Sequence, residues 1–321
     1  MAREINRRTF IRESIAAPAA GALAVSAAGE RAPAASPPAQ KEMLPQGKIG
    51  SLSVSRMLLG GNLLTHYTHS RDLRYVYNLT ARYNTDEKIL ETLALAEAHG
   101  INTLSIHTVP HALGLMEKHR KCGGKMQWII CPTAPVKPGV KEYSEQVKQL
   151  VDMGTEAIYL WGVHGDRLVA QGKVGLIGEA VEAAKKHGVP SGVGGHDLRV
   201  VEACEKAGIQ NDFYIKTLHH HKYPSGPKAD EIKGPYREHP GYWCSDPEAT
   251  IERMKTVTKP WIAFKVMAAG AISPTSGFKY VLEGGADFVL AGMFDFEIRD
   301  DVLVMKSLLG RKLNRARPWR A

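Results

Sequence analysis

Five times along the middle of this chain, an amphipathic helical pattern stops at a glycine and an apolar run begins at once. The junctions are Ala98-His99-Gly100-Ile101, Met153-Gly154-Thr155, Lys186-His187-Gly188-Val189, Lys206-Ala207-Gly208-Ile209 and Glu283-Gly284-Gly285-Ala286. Glycine suits the left-handed residue that ends a helix because it has no Cβ to clash. An apolar run straight after it reads as a strand buried on both faces, as parallel sheets require. Helix, glycine, strand, repeated over roughly 250 residues, predicts a parallel α/β protein and specifically a (β/α)8 TIM barrel.

Eight strands are expected, at 57–62, 102–107, 127–132, 157–164, 191–196, 212–218, 261–268 and 286–293. Helices fill the intervals: Leu176, Ile177, Ala180, Val181 and Ala184 share one face at helical spacing, and Asn84, Thr85 and Asp86 form a capping start for the helix that runs to His99. No strand carries the GxGxxG turn of a dinucleotide fold; Gly192, Gly194 and Gly195 lack its spacing.

The expected organisation is a twin-arginine signal peptide at 1–28, a linker at 29–46, the barrel at 47–310 and a basic tail at 311–321. The run NRRTFIR at 6–12 resembles a bacterial twin-arginine export signal, followed by a weakly apolar Ala-rich stretch at 15–28 and a small-residue cleavage site at Val25-Ser26-Ala27. The implied partner is the twin-arginine translocation machinery, and the implied location is periplasmic or extracellular. The Ala/Pro/Ser composition at 31–40 reads as a linker. No segment approaches the ~18 apolar residues of a membrane span. Net charge is +9, but residues 306–321 alone hold six Lys/Arg and no acid. With Trp319 as its single aromatic and no series of rings to stack bases, such a tail reads as a solvated surface and not as a nucleic-acid groove. Cys122, Cys131, Cys204 and Cys244 have no CxxC or zinc spacing, and disulfides and buried thiols both remain open.

In such barrels the active site lies at the C-terminal ends of the strands. His66, His69, His107, His111, His164, His196, His219, His220 and His221 are all expected there, nine of the thirteen histidines. Asp166, Asp197 and Asp295 join them. Taken singly, each histidine also reads as a satisfied loop residue. Taken together, they suggest acid/base groups around a sugar-like substrate, a divalent metal site, or a mixture. His164, His196, His219 and Asp295 are the candidate metal ligands, since imidazoles with a carboxylate from different strands suit such an ion. No HExxH spacing accompanies them, and the one HxH pair, His219 and His221, lies within a run of three histidines.

Lys216 and Lys265 fall inside strands six and seven. A lysine in an apolar barrel strand points into the site or pairs with a carboxylate, and burial lowers its pKa towards that of a base or Schiff-base nucleophile. Trp161, Tyr214, Tyr223, Tyr242 and Trp243 offer aromatic walls for a sugar ring, or ordinary packing. The stretch 223–246 is the longest interruption of the βα rhythm, opened by HHHKY at 219–223 and closed by GYWCS at 241–245. A long loop on this face is expected to cover the substrate.

The segments KIGSLSVSRMLLGG at 48–61, AHGINTLSIH at 98–107, YLWGVH at 159–164 and GMFDFE at 292–297 resemble the aldo/keto reductases: the opening hairpin and first strand, the second strand, the fourth strand and the last. The resemblance implies a barrel that uses NADPH to reduce a carbonyl. Its catalytic tetrad is not retained. Ser105 stands at the aspartate position, Pro110 or His111 at the tyrosine, and Cys131-Pro132-Thr133 ends the strand that should carry the lysine. His164, with Trp161 as rival, occupies the histidine position.

A second similarity is to phosphate-binding barrels, through KVMAAGAI at 265–272 and GADFVLAG at 285–292. With IKT at 215–217 it extends to class I aldolases of the deoxyribose-phosphate type, whose Schiff-base lysine is on strand six. The expectation is an exported, divergent aldo/keto-reductase-like barrel enzyme acting on a carbonyl-bearing small molecule, such as a sugar derivative. His164, His107, Lys265 and Lys216 are the expected catalytic residues, and Trp161, His196, His219, His220, Tyr223, Trp243 and Asp295 the substrate-binding ones. NADPH and a divalent metal are the candidate cofactors. A redox-independent lyase, aldolase or isomerase, and a non-catalytic sugar-binding barrel, are the alternatives.

Overall fold

The computed structural model describes residues 43–321. The signal peptide and most of the linker expected above lie outside the described residues. An antiparallel hairpin, β1 (Gln46–Ile49) and β2 (Leu52–Ser55), precedes the barrel strands. These are β3 (Met57–Gly60), β4 (Thr103–His107), β5 (Gln127–Cys131), β6 (Ala157–Leu160), β7 (Ser191–Gly195), β8 (Phe213–Thr217), β9 (Trp261–Phe264) and β10 (Phe288–Ala291). Each pairs in parallel with the next, and β10 pairs with β3 to close the ring. The (β/α)8 barrel read from the glycine punctuation is the fold observed.

The local reasons are those the sequence carries. All five junction glycines are left-handed, with φ of 91° at Gly100 and Gly154, 74° at Gly188, 65° at Gly208 and 102° at Gly285. Thr85 caps α2 (Asp86–Ala98), its side chain accepting from Lys88 N. The remaining helices are α1 (Tyr75–Tyr83), α3 (Pro110–Lys121), α4 (Lys141–Asp152), α5 (Gly162–Ala170), α6 (Val174–Lys185), α7 (Leu198–Lys206), α8 (Pro247–Thr256), α9 (Pro274–Glu283) and α10 (Asp295–Leu309).

Strand residues alternate between two apolar layers, as a two-residue side-chain period demands. Leu58, Ile129, Ala157, Phe213, Ile215, Ile262, Phe288 and Leu290 fill the barrel together with Ile49 and Val54 of the hairpin. Met57, Leu59, Leu104, Ile106, Ile130, Ile158, Tyr214, Ala263 and Val289 face the helices.

Two strand expectations run four residues past the observed ends, and both errors matter to the site. β6 stops at Leu160, and Gly162 already belongs to α5, so His164 lies in a helical turn and not on a strand. β9 stops at Phe264, and Lys265 turns the chain out of the sheet with φ of 59°.

The basic tail is not a solvated surface. Arg317 is 3% exposed and donates to the carbonyls of Gly285, Met254 and Val257 while pairing with the fully buried Asp287. Arg315 donates to Leu282 O and Ala286 O, and Trp319 packs between the guanidinium groups of Arg56 and Arg315. Cys131, Cys204 and Cys244 are buried free thiols and Cys122 is an exposed one. Among the described residues no helix is long and apolar enough to cross a membrane.

Candidate active site

At the C-terminal mouth of the barrel, the first turn of α5 lies directly on the end of β7. A Cβ on Gly194 would stand 2.8 Å from Leu160 O and 2.9 Å from Gly162 N, and one on Gly165 would strike Gly194 O. This glycine-on-glycine contact brings Asp166 under the β7 exit. Asp166 Oδ1 accepts from the backbone N–H of both His196 and Asp197 at 2.9 Å, and its Oδ2 accepts from His196 Nδ1–H at 2.7 Å. The carboxylate thereby fixes the tautomer, so that His196 Nε2 keeps its lone pair and makes no hydrogen bond. Burial holds the His196 pKa below the usual imidazole value, and the charges of Lys265 and Lys216 add to this against the pull of Asp166. His196 is therefore a neutral base at pH 7.

Lys265 projects into the same region. Its Nζ is buried without a hydrogen-bond partner and lies 5.6 Å from the centroid of the Trp243 ring. Burial brings the ammonium down to about 7, opposed by the carboxylate of Glu238. The Trp243 ring that Lys265 faces meets His69 edge-on at 5.6 Å, and His196 packs on Phe264, the neighbour of Lys265, at 5.3 Å. The Lys265 charge adds to the burial that lowers His69, His107 and His196. His107 makes no hydrogen bond and stacks parallel to Trp161 at 6.5 Å. Trp161 meets His164 edge-on at 5.4 Å, and His164 Nδ1 accepts from Arg167 at 2.8 Å. Burial and the Arg167 charge keep His164 neutral.

The loop after β3 contributes the other wall. His69 donates from Nδ1 to Glu238 Oε1 at 2.7 Å and accepts at Nε2 from Asn62 at 3.2 Å; burial lowers it to about 4. Tyr67 packs edge-on against His69 at 4.4 Å, and Tyr236 packs on His196 at 4.5 Å. These two tyrosines are 46% and 37% exposed, flat rings at the open side of the cluster. His66, His69 and Arg71 in this loop, and Lys265, Ala268 and Ala269 after β9, all have left-handed backbones. Six such non-glycine residues in two facing loops are strain that the surrounding packing must hold, at about 1 kcal/mol or more each.

Of the residues singled out from sequence, Lys265, His196, His107, Trp161 and Trp243 come together here, with His164 one ring behind. The others do not. Lys216 points away from the barrel interior, because it shares the outward phase of Tyr214 while Phe213 and Ile215 point in. Its Nζ donates to Thr217 O at 2.9 Å and Thr217 Oγ1 at 3.0 Å, and reaches Cys244 Sγ at 3.9 Å. The strand-six Schiff-base lysine expected from the aldolase likeness is therefore not presented to the site.

His219 is fully buried and uses both nitrogens: Nε2 accepts from Trp243 N and Nδ1 donates to His220 O. His220 is engaged by Ser276 and Lys222 N, and Tyr223 donates to Gly241 O. These side chains brace the long loop. Asp295 accepts from Tyr83 at 2.6 Å and pairs with Lys88, and His111 pairs with Asp86. The proposed metal set of His164, His196, His219 and Asp295 is thus dispersed. Among the described residues no three His, Cys, Asp or Glu side chains converge as metal ligands.

The residues that sequence reasoning did not assign are Asp166 as partner of His196, Glu238, Tyr236, Tyr67, His69 and Arg71. Asp166 and His69 had a signal, their places just after strands. Glu238 and Tyr236 lie in an aperiodic loop, where no pattern marks them.

A closed eight-stranded parallel barrel with an uncapped lysine and an imidazole–carboxylate pair at its C-terminal mouth is the class that fold and site define. The chain matches no protein-family model and no curated protein. Solved structures resemble it at the level of the fold. An aldo-keto reductase from Bacillus halodurans superimposes with a TM-score of 0.55 at 12% identity, covering 82% of this chain and 91% of that one. A truncated 3-deoxy-D-arabino-heptulosonate 7-phosphate synthase from Thermotoga maritima gives 0.51 at 10% identity, covering 84% and 93%. At such identities the likeness is one of barrel architecture, and chemistry has to be argued from the site.

Proposed function

We propose that this chain is an enzyme that binds a carbonyl-bearing small molecule, a sugar derivative, and attacks it with the Lys265 amine in a redox-independent lyase, aldolase or isomerase reaction. The observation that carries this reading is the buried, partnerless Lys265 Nζ at the barrel mouth, beside a neutral His196 whose Nε2 is free. An amine with a pKa of about 7 has a large neutral fraction at pH 7 and so is available as a nucleophile. It adds to the carbonyl carbon, the carbonyl π pair moves to oxygen, and the carbinolamine loses that oxygen as water to leave an iminium ion. His196 Nε2 then takes a proton from the carbon or hydroxyl next to the iminium, with Asp166 stabilising the imidazolium. Tyr67, Tyr236 and Trp161 provide ring faces for the substrate's apolar side.

The experiment is borohydride trapping with glyceraldehyde, dihydroxyacetone and pyruvate, read by peptide mass spectrometry. A reduced adduct on Lys265 that is absent from Lys265→Met is expected. Saturable sugar binding with no adduct from any of the three would favour a non-catalytic sugar-binding barrel instead.

The reductase reading fits the site less well. Ser105 is a small buried hydroxyl, His111 is turned to Asp86, and Cys131 ends β5, so the phenol–ammonium couple that would protonate a carbonyl oxygen is missing. NADPH fluorescence titration separates the two readings: micromolar saturable binding would return the chain to the reductases.

We also propose that the chain is exported through the twin-arginine machinery, on the strength of Arg7-Arg8 and the Ala-rich stretch that follows. Replacing both arginines by lysine should retain the precursor inside the cell; unchanged export would remove this assignment.

A further inference from the structure

Glu238 lies in the long loop between β8 and α8, and no sequence pattern marks it. Its Oε1 accepts the His69 Nδ1–H at 2.7 Å, while its Oε2 is buried and has no hydrogen-bond partner. The Lys265 Nζ is in the same condition. It lies 5.6 Å from the Trp243 ring, which meets at 5.6 Å the His69 ring that holds Glu238, so Glu238 is the carboxylate whose charge acts on it. Each buried polar atom left unpaired costs about 1–3 kcal/mol. A structural ion pair would close such a gap and hold the lysine charged. Here an acid and an amine face one region from two loops with neither satisfied. That is the arrangement of groups that exchange a proton with each other or with something held between them.

The surroundings favour the ionised acid. Burial acts to raise the Glu238 pKa, but the His69 hydrogen bond, with the charges of His69, Lys265 and Arg71, brings it below the usual carboxylate value. The other titratable groups around Lys265 are His69, His107 and His196, each held below the usual imidazole value by burial, with Tyr236 and the Asp166 carboxylate behind His196. Glu238 is thus the carboxylate that acts on the reacting amine, and Arg71 is a cation that acts on Glu238.

We propose that Glu238 is a catalytic residue, the proton acceptor and donor for the Lys265 amine, and that His69 is the positioning residue that holds it. This rests on the iminium reading above. Lys265 Nζ and Glu238 Oε2 are not in hydrogen-bond contact, so the ammonium gives one proton to Glu238 Oε2 by way of the group held between them, and the neutral Nζ forms a bond to the carbonyl carbon. The oxygen takes up the proton lost by nitrogen and the one held on Glu238, and leaves as water. The products are the protonated iminium and one water, and Glu238 is regenerated as a carboxylate.

The test is pulsed reductive methylation of the full chain with formaldehyde and cyanoborohydride between pH 5 and 10, scored lysine by lysine by mass spectrometry. In the wild type, Lys265 methylation should rise with a midpoint near 7. In Glu238→Gln the midpoint should fall, because the opposing carboxylate charge is gone. The rate on the high-pH plateau should also fall tenfold or more, because dehydration loses its acid, within the range set by a positioned proton carrier. Glu238→Asp should recover part of that rate, and His69→Asn should shift rate and midpoint the same way by less. The other lysines are the control for a folded protein. An unchanged midpoint and rate for Lys265 in Glu238→Gln overturns the proposal. If formaldehyde shows the coupling but no larger carbonyl compound forms an adduct, Glu238 stands and the substrate reading fails. Absence of Lys265 methylation in the wild type overturns both.

Discussion

Lys265 carries both a folding penalty and the chemistry proposed for this site. Burial lowers its ammonium from 10.5 to about 7, so the folded state binds a proton less readily than the unfolded one. The resulting penalty is full below pH 7, declines between 7 and 10.5, and is gone above that. Lys265→Met should therefore abolish adduct formation while raising the melting temperature at pH 6–7, with the gain vanishing near pH 10. Thermal melts of both proteins across that range check the sign; a variant destabilised at every pH would contradict the account.

Asp166 acts through His196. Asp166→Asn leaves a group that can still accept from the two backbone N–H groups but is not held to the tautomer that frees Nε2. A loss of about 10²-fold or more in turnover is expected, with near-native circular dichroism; turnover within threefold of wild type would mean that His196 is not the base.

At the scale of elements, the close approach of α5 to β7 is what makes the Asp166–His196 pair. Gly194→Ala forces a Cβ to 2.8 Å from Leu160 O and 2.9 Å from Gly162 N, both backbone atoms that cannot swing aside. The expected outcome is a loss of about 1–3 kcal/mol together with loss of the trapped adduct. Denaturant melts and the borohydride assay read the two effects separately. The long loop works on a similar principle. His219 and His221 pin it by donating to or accepting from its backbone at residues 220, 243 and 244, and the pinned loop carries Tyr236 and Glu238 over the barrel. A histidine run that looks like a ligand set is here a clamp on the loop.

For the whole molecule, the tail closes the opposite side of the fold. Asp287 on the β10 side is fully buried between Arg315 and Arg317, and Arg317 also caps carbonyls left by α8 and its exit. Removing one partner of such a buried pair leaves an uncompensated charge. Arg317→Ala should cost about 3–5 kcal/mol, visible in denaturant melts, whereas a solvated arginine would cost almost nothing.

The legible part of the molecule follows from rules that act between neighbours in sequence. Left-handed glycines after helices, apolar runs after those glycines and the Thr85 cap each depend on a few adjacent residues, and they were sufficient to specify the order of elements and the barrel. They also placed most of the functional side chains on one face. What they could not specify was direction and partnership. Lys216 and Lys265 look alike as lysines in apolar runs, but a side-chain period of two turns the first outward, and a left-handed turn at the end of β9 frees the second.

His69 and Glu238 are 169 residues apart, and the pairing of Asp166 with His196 rests on two glycines touching between different elements. Such contacts exist only once the ring has closed. The sequence by itself determined the barrel and the face that bears the chemistry. Tertiary packing decided which of many polar side chains were satisfied as structure and which few were left without partners, because that outcome is set by distances between loops that no local rule encodes.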